Sequence, residues 1–377
     1  MRAKALYLRG ERVTEIRGGA DQVSASILAM LRDYFEGEVE ELYLDEPPGR
    51  APSRFASLRE ALVLRFAPLG RAAAARLKER VKGKDFLFVD QSVYGRAVED
   101  ARVSEPACRS AVLFHNDERR FYIERAKKTG RWHNLLLLPA IERAERAAAG
   151  GAELLVALSA RDARELAEDY GREPELVIPA VVADRRKESP ERPDPDGADF
   201  SMLFAGSAFP PNLEGVRWFV REVMPLVTGR LVVVGRGFEE HRKELESDRV
   251  TVAGTVPDTA PYYAVADCVI SPIFWGSGIK VKTAEAFMQG KTVVGTAEAF
   301  EGYDREAAGG ILAQDAATFA AALSRLAANR REGAFSAKAR AYYESALSYE
   351  AQYRRFSAAM DRLLGRAARQ NPGPEAR

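Results

Sequence analysis

Short apolar runs recur along most of the chain, and each is followed by a longer segment with apolar residues at helical spacing. Runs bounded by glycine, proline or polar residues are typical of buried strands, and the amphipathic segments between them are typical of helices. Their alternation predicts parallel sheets covered by helices, an α/β fold. The predicted strands occupy residues 3–9, 39–44, 86–89, 111–114, 154–158, 176–178, 202–205, 231–234, 250–253, 267–272 and 292–294.

A polar, proline-rich stretch near the middle of the chain interrupts this alternation and predicts a domain boundary. The chain has 377 residues, which is longer than one typical domain. We therefore predict Rossmann-like domains at residues 1–185 and 200–345, joined by a linker at residues 186–199. A terminal helix at residues 346–366 and a disordered tail at residues 367–377 complete the predicted organisation.

The segment from Trp275 to Val294 carries the clearest chemical signal in the chain. A glycine loop follows a predicted strand and leads into a segment with helical spacing, which Gly290 is placed to end. Such a loop presents unpaired backbone N–H groups and the positive end of a helix dipole, and both attract phosphate groups. The loop and the start of the predicted helix comprise Gly276, Ser277, Gly278 and Ile279.

Three charged residues in the same segment fit a phosphorylated ligand that also carries hydroxyl groups. Lys280 and Lys282 add mobile positive charge near the glycine loop, and Glu285 is placed to accept hydrogen bonds from hydroxyls. The alternative is an ordinary strand–turn–helix unit whose lysines are only solvated. Short glycine motifs recur by chance, so the local pattern alone leaves both interpretations open.

Composition excludes some functional classes and narrows others. The formal net charge of +1 gives no electrostatic case for nucleic-acid binding. Cys108 and Cys268 lie in or beside apolar strand candidates and predict buried free thiols, not metal ligands or a disulfide. The N-terminus lacks the apolar core of a signal peptide, and no apolar run approaches the roughly 20 residues that span a bilayer. These features predict a cytoplasmic protein.

The whole second half resembles the nucleotide-binding domain of a known enzyme family. The patterns FAGS…PPN, VVVGRG and YYAVADCVISP, together with the segment from Trp275, are similar to those of retaining GT-B glycosyltransferases of family 4, the group 1 glycosyltransferases. The resemblance is close over residues 200–345 and loose over residues 1–195. It implies two Rossmann-like domains with parallel sheets facing a central cleft, and a C-terminal helix that crosses back to the first domain.

The same resemblance implies the reaction. It is the transfer of a sugar from a nucleotide-diphosphate sugar to an acceptor hydroxyl, with retention of configuration and with neither a metal nor another cofactor. The expected acceptor is a glycan, a lipid-linked molecule or a protein. His115, which directly follows a predicted strand, is expected to contact the donor sugar or diphosphate.

Lys280 and Lys282 are expected to stabilise the leaving diphosphate, and together with His115 they form the predicted catalytic set. Glu285 is expected to bind the nucleotide ribose. The other predicted donor-binding residues are Gly18, Gly19, Gly206, Arg236, Gly276, Ser277, Gly278 and Ile279.

Two departures from the family pattern keep other functions open. Ser277 stands where the family usually has a glutamate that contacts the sugar, and the loop Ser207–Asn212 lacks the arginine and lysine that hold the diphosphate in many relatives. Arg236 is one candidate to replace that charge. A non-catalytic GT-B protein, acting as the partner or acceptor-binding subunit of another transferase, is therefore the alternative. A nucleotide-sugar epimerase on the same fold is a weaker one.

A basic amphipathic pattern over residues 65–84 predicts a helix. The favoured interpretation is a solvated helix face above an ordinary apolar stripe. The alternative is a contact with an anionic membrane surface, which would place the protein at the inner face of the membrane.

Overall fold

A computed structural model describes residues 3–14, 19–45, 69–130, 132–186, 199–276, 278–330 and 335–366. The chain divides into two compact units. Unit 1 combines Met1–Pro179 with Gln352–Arg377, and unit 2 is Ala180–Ala351. Most of the predicted linker and all of the predicted tail lie outside the described residues.

Unit 1 is built on a parallel sheet of six strands, arranged in the order β2-β1-β3-β4-β5-β6. Every residue of the first and third strands is buried, as is typical of parallel sheets covered on both faces. The strands are β1 (Ala5–Arg9), β2 (Val39–Tyr43), β3 (Phe86–Asp90), β4 (Arg109–Phe114), β5 (Leu154–Ala157) and β6 (Leu176–Val177).

The helices of unit 1 cover this sheet and bury leucine, valine and alanine side chains against it. They are α1 (Gly19–Tyr34), α2 (Arg71–Arg80), α3 (Arg96–Ser104), α4 (Glu118–Thr129), α5 (Leu138–Gly151) and α6 (Ala160–Tyr170). The helical region between β4 and β5 is interrupted. Gly130 ends α4 in the left-handed conformation, with φ of 67°, and a short 3-10 helix, Trp132–Leu137, precedes α5.

Unit 2 contains a second six-stranded parallel sheet, with the order β12-β11-β10-β7-β8-β9. Its strands are β7 (Ser201–Ala205), β8 (Arg230–Val234), β9 (Val250–Gly254), β10 (Cys268–Ser271), β11 (Val293–Gly295) and β12 (Ile311–Leu312). The last strand, β12, was not predicted. The two parallel sheets confirm the α/β fold class.

The helices of unit 2 are α7 (Pro210–Trp218), α8 (Arg242–Leu245), α9 (Ala260–Val265), α10 (Val281–Met288), α11 (Ala316–Ala328) and α12 (Ala337–Tyr342). The first of these helices begins with two prolines, which suit the first helical turn because the missing N–H costs nothing there. After Trp218 the α-helix gives way to a π-helical turn, Phe219–Val223, and a 3-10 turn, Met224–Leu226.

The terminal helix α13, Tyr349–Leu364, returns to unit 1 over most of its length. The hydroxyl of Tyr34 in α1 donates a hydrogen bond to Asp361 Oδ1 at 2.7 Å. The Tyr34 ring also meets Phe356 edge to face. These buried contacts confirm the crossing back to the first domain that the resemblance implied.

The structure also bears on the predicted burial of the two cysteines and on membrane-spanning helices. Cys108 and Cys268 are free and buried, as predicted. Across the described part of the chain, no helix combines the length and apolarity required to cross a bilayer.

Candidate active site

The topology of the second sheet marks a ligand-binding position before any side chain is considered. The chain runs from β7 outward to β8 and β9, then returns to the other side of β7 as β10. In doubly wound sheets, ligands bind at the carboxyl ends of strands where the order reverses in this way. The loops that follow β7 and β10 meet at this point, and they contain the FAGS and glycine-loop motifs.

The backbone of the loop after β7 packs very closely against Gly235, the residue that follows β8. A Cβ atom added to Gly235, which follows β8, would lie only 1.9 Å from the carbonyl oxygen of Gly206. Gly235 also has φ of 145°, a conformation that side chains disfavour. Glycine at this position therefore brings the backbone of Gly206 and Ser207 against the end of β8.

The loop after β10 leads to α10, but the helix begins later in the chain than predicted. The helix begins at Val281, with Lys280 at the preceding cap position, so Ile279 belongs to the loop instead of the helix face. Gly276 and Gly278 have φ of 140° and 66°, which glycine adopts readily. Ser277 lies outside the described residues.

Lys282 lies at the centre of this site. Its ammonium donates a hydrogen bond to Asn212 Oδ1 and lies 5.1 Å from the centre of the Phe204 ring. The same amine would be 3.5 Å from a Cβ added to Gly206, so it reaches the loop after β7 from α10. Burial, with repulsion from Lys280, lowers the pKa of Lys282 to about 7.

Lys280 has a different environment from Lys282. Its ammonium forms an ion pair with Glu298 and donates a hydrogen bond to the Gly278 carbonyl at 2.7 Å. Its own carbonyl accepts a hydrogen bond from the Tyr303 hydroxyl at 3.0 Å. Lys280 therefore fixes the glycine loop, whereas Lys282 has neutral hydrogen-bonding and aromatic neighbours.

Glu285 lies one turn beyond Lys282 on α10. Burial raises its pKa to about 7, against the opposing charges of Arg185 and Lys282. The buried hydroxyl of Tyr263 has no hydrogen-bond partner within the described residues, and burial together with the charge of Glu285 raises the pKa of Tyr263. A carboxyl group and a phenol are thus available in a poorly solvated position on the same side of the sheet.

Arg236 lies in the loop after β8, where it is exposed. Its carbonyl accepts a hydrogen bond from Ala208 N at 2.8 Å, so the backbone at Arg236 contacts the loop after β7. Among the predicted donor-side residues, the structure therefore groups Gly206, Lys282 and the backbone at Arg236, while Lys280 lies with Gly276 and Gly278.

Unit 1 contains a second polar cluster at its own topological switch, between β1 and β3. His115 Nε2 lies 2.8 Å from Asp90 Oδ1, and Asp90 is completely buried at the end of β3. Burial alone would raise the pKa of Asp90, but the hydrogen bond and electrostatic attraction of His115, with the Tyr7 hydroxyl, lower it overall. Asp90 is therefore an ionised carboxylate, and its hydrogen bond orients His115.

The same cluster extends into α1, next to the predicted glycine loop. Arg9 pairs with Asp21 of α1 at 2.7 Å and approaches Asp90 at 3.4 Å. Gly19 is the first residue of α1, and Gly18 lies outside the described residues. The residue after Asp90, Gln91, has φ of 115°, a strained conformation that tends to occur at functional sites.

A carboxylate cluster follows His115 at the start of α4. Asp117 caps this helix by accepting a hydrogen bond from Arg120 N at 2.8 Å. Glu145 is fully buried and accepts hydrogen bonds from the Ser92 and Tyr170 hydroxyls. Burial, followed by the charge of Glu145, raises the pKa of Asp117 to about 7 and that of Glu118 to about 8.

Sequence reasoning missed two residues that organise these clusters, Asn212 and Asp90. Asn212 belongs to the PPN motif, and Asp90 follows a predicted strand, just as His115 does. The strand-end rule that selected His115 would therefore also have selected Asp90. Within the described ranges, no group of three or more histidine, cysteine, aspartate or glutamate side chains is arranged to hold a metal ion.

One family model matches part of unit 2. Residues 199–329 match the model described as glycosyl transferases group 1. This region of unit 2 is therefore similar to group 1 glycosyltransferases. The match covers both loops at the switch point, together with Asn212, Lys282 and Glu285.

Solved structures with the same fold cover nearly the whole chain. The Anabaena HepE protein in complex with UDP-glucose has 15% identity, a TM-score of 0.64, and coverage of 95% of this chain and 99% of its own. Sucrose-phosphate synthase from Thermosynechococcus elongatus has 14% identity, a TM-score of 0.69, and coverage of 97% and 100%.

A glycosyltransferase from Rickettsia africae gives 14% identity, a TM-score of 0.60, and coverage of 97% of this chain and 100% of its own. No curated protein sequence matches significantly. At these identities the likeness establishes the fold of the chain, which is that of the GT-B glycosyltransferases.

Proposed function

We propose that this protein is a glycosyltransferase that moves a sugar from a nucleotide-diphosphate sugar to an acceptor hydroxyl. The observation that carries the proposal is the position of Lys282. Its ammonium lies at the switch point of the unit 2 sheet, beside the backbone of Gly206, and its hydrogen-bond partner is a neutral amide.

A desolvated ammonium with neutral partners is suited to receive an anion. Breaking the bond between the sugar and the diphosphate leaves negative charge on the diphosphate, and stabilising that charge is the main catalytic demand. Lys282 would supply this positive charge. It thereby compensates for the cations missing from the loop after β7, because it reaches the same loop from α10.

Backbone groups would complete the diphosphate site. The loop from Gly276 to Lys280 and the N–H groups at the start of α10 provide donors and the positive end of a helix dipole. The ion pair of Lys280 with Glu298 keeps this loop in place before the donor binds. Preorganised donors of this kind avoid a reorganisation cost during the reaction.

Glu285 is proposed to accept hydrogen bonds from the ribose hydroxyls of the nucleotide. A carboxyl group whose pKa is raised by burial gains most from ligand hydroxyls, since they replace the water that it has lost. The complex of the similarly folded HepE with UDP-glucose makes UDP the first nucleotide to test.

Retention of anomeric configuration and independence of metal ions are also part of the proposal, and they rest on the resemblance to family 4. Retention is tested by following the anomeric proton of the product by NMR. Metal independence is tested by comparing turnover in EDTA with turnover in added Mg²⁺. An inverted product would remove the family 4 mechanism while leaving the transfer reaction intact.

The experiment that tests the central proposal measures thermal unfolding with UDP, GDP, ADP, CMP and dTDP. A ligand that binds only the folded state stabilises it by about 2.7 kcal/mol at one hundred times its Kd. We expect one nucleoside diphosphate to raise the unfolding temperature and Lys282→Met to abolish the rise. Lys243→Met, on the exposed surface of α8, is the control and should respond like wild type.

Release of the nucleotide from the matching sugar nucleotide then separates an enzyme from a binding protein. Slow release by the wild-type protein, lost in Lys282→Met, supports the transferase. Selective nucleotide binding with no release or transfer, even with a panel of glycan acceptors, would instead favour the non-catalytic partner protein. A changed sugar on an intact nucleotide would identify an epimerase.

A further inference from the structure

The chain between α4 and α5 contains a segment with an unusual combination of charge and apolarity. Residues 125–138 carry four cations, one tryptophan and four consecutive leucines, with no acidic residue. The cations come first and the apolar residues follow. They are Arg125, Lys127, Lys128 and Arg131, then Trp132 and Leu135 to Leu138.

The structure exposes two apolar side chains of this segment, whereas Leu137 packs against the core of unit 1. In the 3-10 helix Trp132–Leu137, the Trp132 side chain is 58% exposed and that of Leu136 is 75% exposed. Isolated exposed apolar residues are ordinary on protein surfaces, but two large ones within one short 3-10 helix favour an interaction site. Lys127 and Lys128, at the end of α4, are also exposed.

Tryptophan, leucine and lysine in this arrangement match the chemistry of a membrane interface. Tryptophan favours the headgroup level, and leucine favours the acyl boundary beneath it. Lysines on the same surface are attracted to anionic headgroups, while their methylene stems lie along apolar surface. The segment therefore offers both of the attractions that hold a protein on an anionic bilayer.

The basic helix predicted within residues 65–84 differs from this segment in both its charge pairing and its apolar face. In the described part of residues 65–84, neighbouring acidic side chains neutralise several of its cations. Arg80 and Lys84 both pair with Glu40 of β2, and Lys78 lies 3.4 Å from Asp100. Ala73, Ala74 and Leu77 are buried under the helix, so its apolar face is already covered.

We propose that the exposed side chains of Lys127, Lys128, Trp132 and Leu136 dock unit 1 onto an anionic lipid surface. A second copy of the chain is a poorer occupant of this surface. A two-fold symmetric contact would bring the exposed Lys127 and Lys128 of one copy toward the same lysines of the other, like charge against like charge. An anionic bilayer, in contrast, supplies the opposite charge and an apolar layer for Trp132 and Leu136.

The test is co-sedimentation of the full-length protein with two kinds of vesicle, phosphatidylcholine alone and phosphatidylcholine mixed with phosphatidylglycerol. We expect binding to the anionic vesicles only, weakened by added salt. Lys127→Gln with Lys128→Gln should lower the partition coefficient by about fivefold for each charge. Trp132→Ser with Leu136→Ser should abolish binding, since the apolar anchor is then lost.

Matched controls separate docking from general stickiness or misfolding. Val103→Ser removes an apolar side chain that is 76% exposed elsewhere on unit 1 and should bind like wild type. All the substituted side chains are solvent-exposed, so the unfolding temperature of each variant should stay near that of wild type. Trp132→Phe should retain sedimentation but lose most of the vesicle-induced blue shift of tryptophan emission.

Three results would overturn the proposal. One is the absence of binding to anionic vesicles. Another is vesicle binding that persists unchanged in both double variants. A third is a dimer in light scattering that Leu136→Ser disperses while vesicles have no effect, which would assign the surface to a second copy.

Discussion

Asn212 connects Lys282 to the loop that follows the first strand of unit 2. The Lys282 ammonium donates a hydrogen bond to the side-chain oxygen of Asn212, and the Asn212 amide nitrogen donates to the Ser207 carbonyl at 2.7 Å. A helix on one side of the switch point is thereby tied to the loop on the other. The position of the amine thus depends on a residue that carries no charge.

Asn212→Ala is expected to weaken nucleoside diphosphate binding by about tenfold, the value of one hydrogen bond to a charged group. The amine then loses the acceptor that directs it toward Gly206. Isothermal titration measures the change. Asn212→Asp is the informative companion, because its carboxylate would hold Lys282 charged yet occupy it, so affinity should fall here too. Unchanged affinity in both variants would show that Asn212 has no positioning role.

The two lysines of the glycine segment are expected to respond differently to substitution. Lys282→Met should lower turnover by about 10²–10³-fold, the typical loss when one preorganised donor to a developing charge is removed. Lys280→Met should instead lower the free energy of unfolding by about 1–3 kcal/mol, because Glu298 loses its partner. Nucleotide release and thermal unfolding measure the two effects.

A double variant checks the second half of that prediction. Lys280→Met with Glu298→Gln removes both charges, so it should recover part of the stability that Lys280→Met alone loses. Additive losses would mean that the ion pair contributes little to the fold.

Nucleotide binding is expected to take up a proton above neutral pH. Burial lowers the pKa of Lys282 to about 7, so the amine is increasingly neutral as pH rises from 7 to 9. A bound diphosphate favours the ammonium, so affinity should fall over this range by up to tenfold per pH unit. Titrations in buffers with different ionisation enthalpies measure the uptake, which Lys282→Met should eliminate.

The stability of unit 1 is expected to decline between about pH 5 and pH 8 through Glu118. Its pKa is about 8 in the folded chain, above the value of an unfolded glutamate, so the folded state binds the proton more tightly. The stabilisation is complete below the unfolded pKa and is lost as pH rises through the folded one. Glu118→Gln should add on the order of 1–2 kcal/mol at pH 8.5 and almost nothing at pH 5.

Thermal unfolding of both proteins across this range gives the comparison. An equal effect of Glu118→Gln at both pH values would count against the raised pKa.

Gly235→Ala is expected to destabilise unit 2 by about 3 kcal/mol or more through backbone strain and overpacking. The added Cβ would overlap the Gly206 carbonyl oxygen, so the loop after β7 must move. Gly150→Ala is the control, because nothing lies within 4 Å of its added Cβ on α5. In denaturant unfolding, the free energy of unfolding of the control should equal that of wild type or exceed it.

The fold was largely readable from the sequence, whereas the contacts of the site were not. Apolar runs located the strands because parallel strands are buried on both faces, and the family pattern supplied the two-domain organisation. Sequence reasoning assigns Lys280 and Lys282 the same role, because both are lysines that follow the glycine loop by a few residues. Their difference depends on Glu298 and Asn212, which lie 18 and 70 positions away along the chain.

The roles assigned to the individual site residues also remain predictions. The structure shows where His115, Lys282 and Glu285 lie, and the experiments above decide what each of them does. The proposed membrane segment was also beyond sequence reasoning, because exposure decides between a core stripe and a docking surface. Four consecutive leucines at residues 135–138 have the same sequence whether they are buried in a core or exposed on a docking surface.

The return of α13 to unit 1 has a consequence for biosynthesis. Translation proceeds from the N-terminus, so all of unit 2 is synthesised before the helix that bears Phe356 and Asp361. Until that helix leaves the ribosome, Tyr34 lacks both of its partners on α13, and the nascent first domain keeps an uncovered apolar face. Completion of the domain that is begun first therefore waits until the whole of the other domain has been synthesised.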